Sequence, residues 1–220
     1  MNDSIDKIVK YLSAMTTIPF EYKGKTYEPK ELRVSPLLFR GFVCPENCGA
    51  CCPVFSLDYI PGENKPENTT IREVIFNGKK KEIYSITQED NKNHHCTFVD
   101  MQNGRCANHP TRPFSCDFEL IRFLEYKHHF RITVQPFGRA WALTKVDGSK
   151  GAACIIDKEP SKEASKDVLR KLNRLKEWLL FFDLPVDRID AIFKYKHKLY
   201  AGHPLVFRSE QKHPQLMRRK

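Results

Sequence analysis

Apolar residues recur along this chain at two different periods, and the change of period divides it. Ile5, Ile8, Val9, Leu12 and Met15 fall three and four residues apart behind Asp3. That spacing puts side chains on one helical face, with an aspartate placed to accept a bond from the first backbone N–H groups. Pro19 is expected to end this helix. Beyond it the apolar runs become short and strand-like. Residues 20–27 predict a small hairpin turning at Gly24, residues 32–43 lead into the first cysteines, and residues 54–60 predict a strand. Residues 61–70, polar and with two prolines, predict a loop. Residues 71–76 and 81–86 flank Asn77-Gly78, a dipeptide that accepts positive φ at both turn positions, and predict a second hairpin. Asn103-Gly104 predicts another turn, one that pairs Cys96 with Cys106 across adjacent strands. Residues 118–126 and 130–134 predict an antiparallel pair around Lys127-His128, and residues 137–146 a further strand.

The helical period returns after Pro160-Ser161. Ala164, Val168, Leu172, Leu175, Leu179 and Phe182 predict one helix, and Ile189, Ile192, Phe193, Lys196, Leu199 and Tyr200 a second, closed by Gly202. Residues 203–220 read as a loose basic tail. The expected fold class is therefore α+β: a small antiparallel, loop-rich, metal-stabilised body over residues 1–160, with a basic C-terminal helical pair over residues 161–220 packed on it.

Composition narrows the class. A chain of 220 residues suits one domain with an appended segment, and can bury about 70% of its unfolded surface. The longest apolar run, residues 151–156, is far short of the roughly 20 residues of a membrane span. The acidic start, Met1-Asn2-Asp3-Ser4, does not resemble a signal peptide. A soluble, cytoplasmic protein with no membrane partner is expected. The net charge of +10 comes from 37 Lys+Arg against 27 Asp+Glu, and residues 161–220 hold 15 of the former and 7 of the latter. That asymmetry suggests an acidic protein or a nucleic acid as the partner of residues 161–220.

The 8 cysteines carry the most specific chemistry. Four fall in the nine residues Cys44-Pro-Glu-Asn-Cys48-Gly-Ala-Cys51-Cys52, where Gly49 permits a sharp turn, and Cys96, Cys106 and Cys116 follow near loops and turns. Isolated cysteines are commonly buried small hydrophobes, but four thiols this close can converge on one centre, and thiolates suit zinc or iron–sulfur clusters. A disulfide scaffold fits poorly, because Cys51-Cys52 are adjacent and the chain shows no export signal. Cys44, Cys48, Cys51, Cys52, Cys96, Cys106 and Cys116 form the candidate metal set. Cys154, in an apolar stretch, reads as a buried inert thiol or a distant ligand.

The pattern Phe42-x-Cys44-x3-Cys48-Gly49-x-Cys51-Cys52, then Cys96, then Gly104-x-Cys106-x5-Arg112-Pro113-x2-Cys116-x-Phe118, resembles the YkgJ-like cysteine-cluster family, a zinc- or iron-chelating domain. The resemblance covers about residues 40–120. It departs from the family at His109, where a tyrosine is usual; His109 reads as an added ligand or a polar substitute. The interval from Cys52 to Cys96 is also long for a compact member. The related flagellin lysine N-methylases carry a similar cysteine set, and that resemblance implies a [4Fe–4S] cluster, with Zn2+ as the alternative cofactor. Seven cysteines exceed the four that either a cubane cluster or a structural zinc needs.

Other residues leave two readings open. Arg112 donates to cluster sulfurs or a neighbouring carbonyl, or is a surface arginine before a turn. His94 and His95 are exposed loop residues or reach the metal, and His128-His129 are explained by exposure at a hairpin tip. The helix bearing Lys162, Lys166, Arg170, Lys171, Arg174 and Lys176 presents a solvated face, or contacts a phosphate backbone. No phosphate-binding glycine loop and no hydrolase-like Ser/His/Asp order occurs, so no catalytic residue is assigned.

Overall fold

A computed structural model describes residues 3–43, 49, 56–88, 95–118, 121–134, 146, 148–149, 155–209 and 213–217. The first element is helix α1 (Ser4–Met15), whose N-cap Asp3 accepts from the backbone N–H of Ile5. It ends at Met15, four residues before Pro19, and the extended backbone of the C-cap Thr16 stops it while the Thr16 N–H still reaches Leu12. Strands β1 (Phe20–Tyr22) and β2 (Lys25–Tyr27) then turn through Lys23-Gly24, both at positive φ. After β3 (Glu31–Val34) and a 3-10 turn (Pro36–Phe39), β4 (Arg40–Val43) enters the first cysteine group.

On the far side of that group runs β5 (Leu57–Tyr59), then the hairpin β6 (Thr70–Phe76) and β7 (Lys79–Ile86). Its turn residues Asn77 and Gly78 sit at φ 50 and 70, as the dipeptide predicts. A second 3-10 turn (His109–Thr111) and the short helix α2 (Phe114–Asp117) precede β8 (Ile121–Glu125) and β9 (His129–Val134). The last elements are β10 (Ile155–Pro160), α3 (Lys162–Phe181), α4 (Asp187–Tyr200), β11 (Leu205–Phe207) and β12 (Gln215–Leu216).

The strands form two five-stranded sheets, ordered β2-β1-β6-β7-β5 and β12-β11-β3-β9-β8, and a β4-β10 ribbon. All pairings are antiparallel except β3 with β9, which run parallel. The fold is thus α+β with a C-terminal helical pair, as expected. The basic tail is a correction. Leu205, Val206 and Phe207 are buried and pair with Val34, Arg33 and Leu32, because three consecutive apolar side chains find a place beside β3 that no local period announces. The strand expected over residues 137–146 lies outside the described residues, apart from Val146.

One apolar core joins these parts. Ile8 and Leu12 of α1, Leu32 and Ile132 of the second sheet, Phe76 and Ile83 of the first, and Leu172, Leu175 and Ile192 of the last helices all belong to it. A line of aromatic rings crosses the core: Phe20–Phe76 at 4.8 Å, Phe76–Phe182 at 4.3 Å, then Trp178, Phe114 and Phe118. Trp178 and Phe182 are buried core residues. The same line anchors α2, and hence Cys116, through the buried rings on either side of it.

Candidate metal centre

Cys44, Cys48, Cys51, Cys52, Cys154 and His94 lie outside the described residues; Cys96, Cys106 and Cys116 are described, and each is half-buried. Cys96 opens a turn in which the Val99 N–H donates to its carbonyl. Val99 then pairs with Cys106 in a single antiparallel bridge. The paired strands expected around Asn103-Gly104 do not form. Gly104 has φ 69, but Asn103 is not at positive φ, and the Gly104 N–H closes onto the Asp100 carbonyl at 2.8 Å. Asp100 accepts from the Gln102 N–H and the Asn103 side chain, and Asn103 Oδ1 accepts from the Arg105 N–H. Such local side-chain bonds replace a ladder with a compact loop.

Four contacts tie this region to Gly49, to β5 and to the residues just beyond β7. Gly49, between Cys48 and Cys51, has φ 54, and a β-carbon there would stand 2.6 Å from Val146 Cγ1, 3.2 Å from Val99 Cγ1 and 3.6 Å from Gly104 Cα. Only a glycine fits that approach. Cys116 packs on the small apolar cluster of Leu57 and Tyr59, in the strand that starts five residues after Cys52. Asn108 Nδ2 donates to the Tyr59 hydroxyl at 3.1 Å, tying the loop to the same strand. Finally, Gln88 Nε2 lies 2.9 Å from Cys96 Sγ. Gln88 follows β7, whose Ile86 pairs with Leu57, so Cys96 also sits by the end of the sheet where β5 begins. Among the described residues, no three His, Cys, Asp or Glu side chains by themselves form a metal site.

The electrostatics next to Cys116 centre on Asp117, whose side chain is fully buried. Arg112 Nη2 reaches its Oδ1 at 2.6 Å, Arg170 grips both oxygens at 2.5 and 2.9 Å, and Arg174 Nη1 reaches Oδ2 at 3.0 Å. Burial alone would raise the Asp117 pKa, but the Arg170 hydrogen bonds and the charges of Arg112, Arg170 and Lys171 hold it well below the usual carboxylate range. Among the described residues, Arg112 donates to this carboxylate. Arg174 also pairs with Glu63 and Lys176 with Asp190, while Lys171 pairs with Asp167 at 2.5 Å. Arg170 and Arg174 thus reach acidic partners on other elements, Asp117 and Glu63, which spacing on the helix does not reveal, whereas Lys171 and Asp167 form an i,i+4 pair within α3.

The histidines divide. His95 is buried at 7% exposure, so it is not an exposed loop residue. His109 is exposed at the start of the 3-10 turn, and the charge of Arg112, with some burial, pushes its pKa down. His128 is exposed, while His129 is half-buried and stacks on Tyr126 at 4.6 Å.

The described residues form an α+β protein in which Cys116 packs against β5 and Cys96 lies beside Gln88, just beyond β7. Residues 43–134 match the CxxCxxCC family, described as a "Putative zinc- or iron-chelating domain". The match takes in the whole candidate cysteine set, and bears out the cysteine-cluster resemblance and a metal-binding role. No curated protein and no solved structure matches the chain. No described helix is long and apolar enough to cross a membrane.

Proposed function

We propose that this protein holds a [4Fe–4S] cluster, ligated from Cys44, Cys48, Cys51, Cys52, Cys96, Cys106 and Cys116, with Zn2+ as the alternative occupant of the same thiolates. The observation that supports the reading is the seating of Gly49, which lies between Cys48 and Cys51 in the sequence, against Val99 and Gly104 of the loop between Cys96 and Cys106. Thiolates in that number suit soft metals, and both candidates need four. Sulfurs beyond four would support the site or take part in redox chemistry. The cluster would serve a redox role or an accessory one beside a modification enzyme. Protein purified without oxygen is expected to be brown, with about four iron and four sulfide per chain. A colourless protein with stoichiometric zinc selects the alternative, and protein with neither metal refutes the reading.

A second reading has its own observation. Residues 191–209 contain Lys194, Lys196, Lys198 and Arg208 and no acidic residue, and Lys194 and Arg208 are exposed. We propose this end of α4, rather than α3, as the contact for a nucleic-acid phosphate backbone. Binding to a single-stranded oligonucleotide should weaken steeply with salt and be lost when the three lysines become alanine; binding indifferent to salt would count against it.

A further inference from the structure

We infer that Gln88 is a positioning residue of the cysteine centre, its buried side-chain amide donating to the Cys96 sulfur and fixing where that sulfur stands. The inference rests on the metal reading above and adds to it a residue outside the cysteine pattern. Gln88 is 2% exposed, and among the described residues the one hydrogen bond of its side chain runs from Nε2 to Cys96 Sγ, at 2.9 Å. Its Oε1 is buried and has no partner there.

A neutral thiol is a weak acceptor, a poor counterpart for a buried amide whose other pole is unpaired. A thiolate changes the balance, because hydrogen bonds to a charged acceptor are shorter and stronger. The arrangement is complementary to a deprotonated sulfur, the form that a metal requires. Glutamine also supplies the donor without adding negative charge to a crowd of thiolates, as a glutamate would. Position reinforces chemistry. Gln88 follows the end of β7, and β7 is paired on both edges, with β6 and with β5. The amide therefore stands two residues beyond a strand held on both edges, which limits how far it can follow the sulfur.

Cobalt(II) titration of the reduced, metal-free full-length chain tests this, since sulfur-to-cobalt charge-transfer bands report bound thiolates directly. Gln88→Met removes the donor at similar volume, and Gln88→Glu keeps the shape while reversing the electrostatics. Both are expected to weaken cobalt affinity by about 10- to 100-fold in chelator competition. Both should also move the charge-transfer bands to longer wavelength, because a sulfur without its donor gives up charge more readily. Gln102→Ala, at an exposed position, should leave affinity and bands unchanged. A general loss of packing would weaken binding without moving the bands of the metal-loaded fraction, and that result overturns the positioning role. Wild-type bands that neither Gln88 substitution moves also overturn it, and leave the metal reading intact. A wild-type protein that shows no thiolate bands overturns the metal reading itself, and this inference with it.

Discussion

The body of the molecule and its cysteine end are held together differently. In the body, α1, α3, α4 and both sheets share one core, and Ile8, Leu12, Leu172 and Leu175 are fully buried in it. Around the cysteines, residues 95–118 have isolated β-bridges, a series of turns closed by Asp100, Asn103 and Asn108, and thiols that are only half-buried. Apolar burial, at about 25 cal/mol per Å2, is enough to order the first region. In the second, Phe114 and Phe118 reach the core, but residues 95–112 bury little apolar surface beyond Val99, so their order draws on bonds to specific atoms. Asp117 joins the two, since its carboxylate is gripped by Arg112 from the cysteine end and by Arg170 and Arg174 from α3.

That contrast can be broken most strongly by taking the metal away. Chelation, or Cys48→Ala, is expected to lower the melting temperature by about 10 °C or more, given what ligation contributes to small metal domains. Hydrogen exchange should then accelerate across residues 95–118 while α1 and the β6–β7 hairpin keep their protection; unchanged metal content and melting in Cys48→Ala would sink the assignment. The converse perturbation is Leu12→Ala, which empties a fully buried site in the core. It should cost about 2–5 kcal/mol in urea unfolding and leave metal content as it was.

The link between the regions comes next. Asp117→Asn leaves three guanidinium groups facing a neutral amide, and is expected to cost about 3 kcal/mol, the low end for a broken buried pair because Arg170 is half-exposed. It should also change the acid limb of the stability curve. The folded pKa of Asp117 lies below its ordinary value of 3.8, so its contribution is complete above that value and is lost as pH falls toward the depressed one. Urea midpoints measured from pH 6 to pH 2 should fall less steeply in Asp117→Asn than in the wild type; parallel curves would refute the clamp as a source of stability. The smallest effect is expected at Gly49. Gly49→Ala meets both a positive φ and Val146 Cγ1, and should cost about 1–2 kcal/mol while lowering metal occupancy. Retained occupancy would show that the two cysteine groups do not depend on that close approach.

Local signals were strong where one residue type has one conformational use. Asp3 and Ser161 cap their helices, and Asn77-Gly78 forms its turn, because each answers to neighbours a few residues away. Asn103-Gly104 misled, since Asp100 upstream competes for the same backbone groups. The short run Leu205–Phe207 carried too little pattern to announce a strand, and its partner β3 lies some 170 residues earlier. The cysteines of the candidate centre were legible from their spacing, because a soft metal demands that residue type. Gln88 was not, as nothing marks a lone glutamine until the chain has folded around it.

What the sequence determined by itself was the chemistry available and the periodic elements: seven clustered thiols, α1, the β6–β7 hairpin and the two C-terminal helices. Periodicity and ligand type are properties of neighbours along the chain. What only the tertiary structure decided was which distant groups meet: Gly49 against Val99, Gln88 on Cys96, and three arginines on Asp117, which turned much of the charge of α3 from a solvated face into an internal clamp. Such pairings depend on sheet register and on the burial of a charge, and neither is set by local sequence.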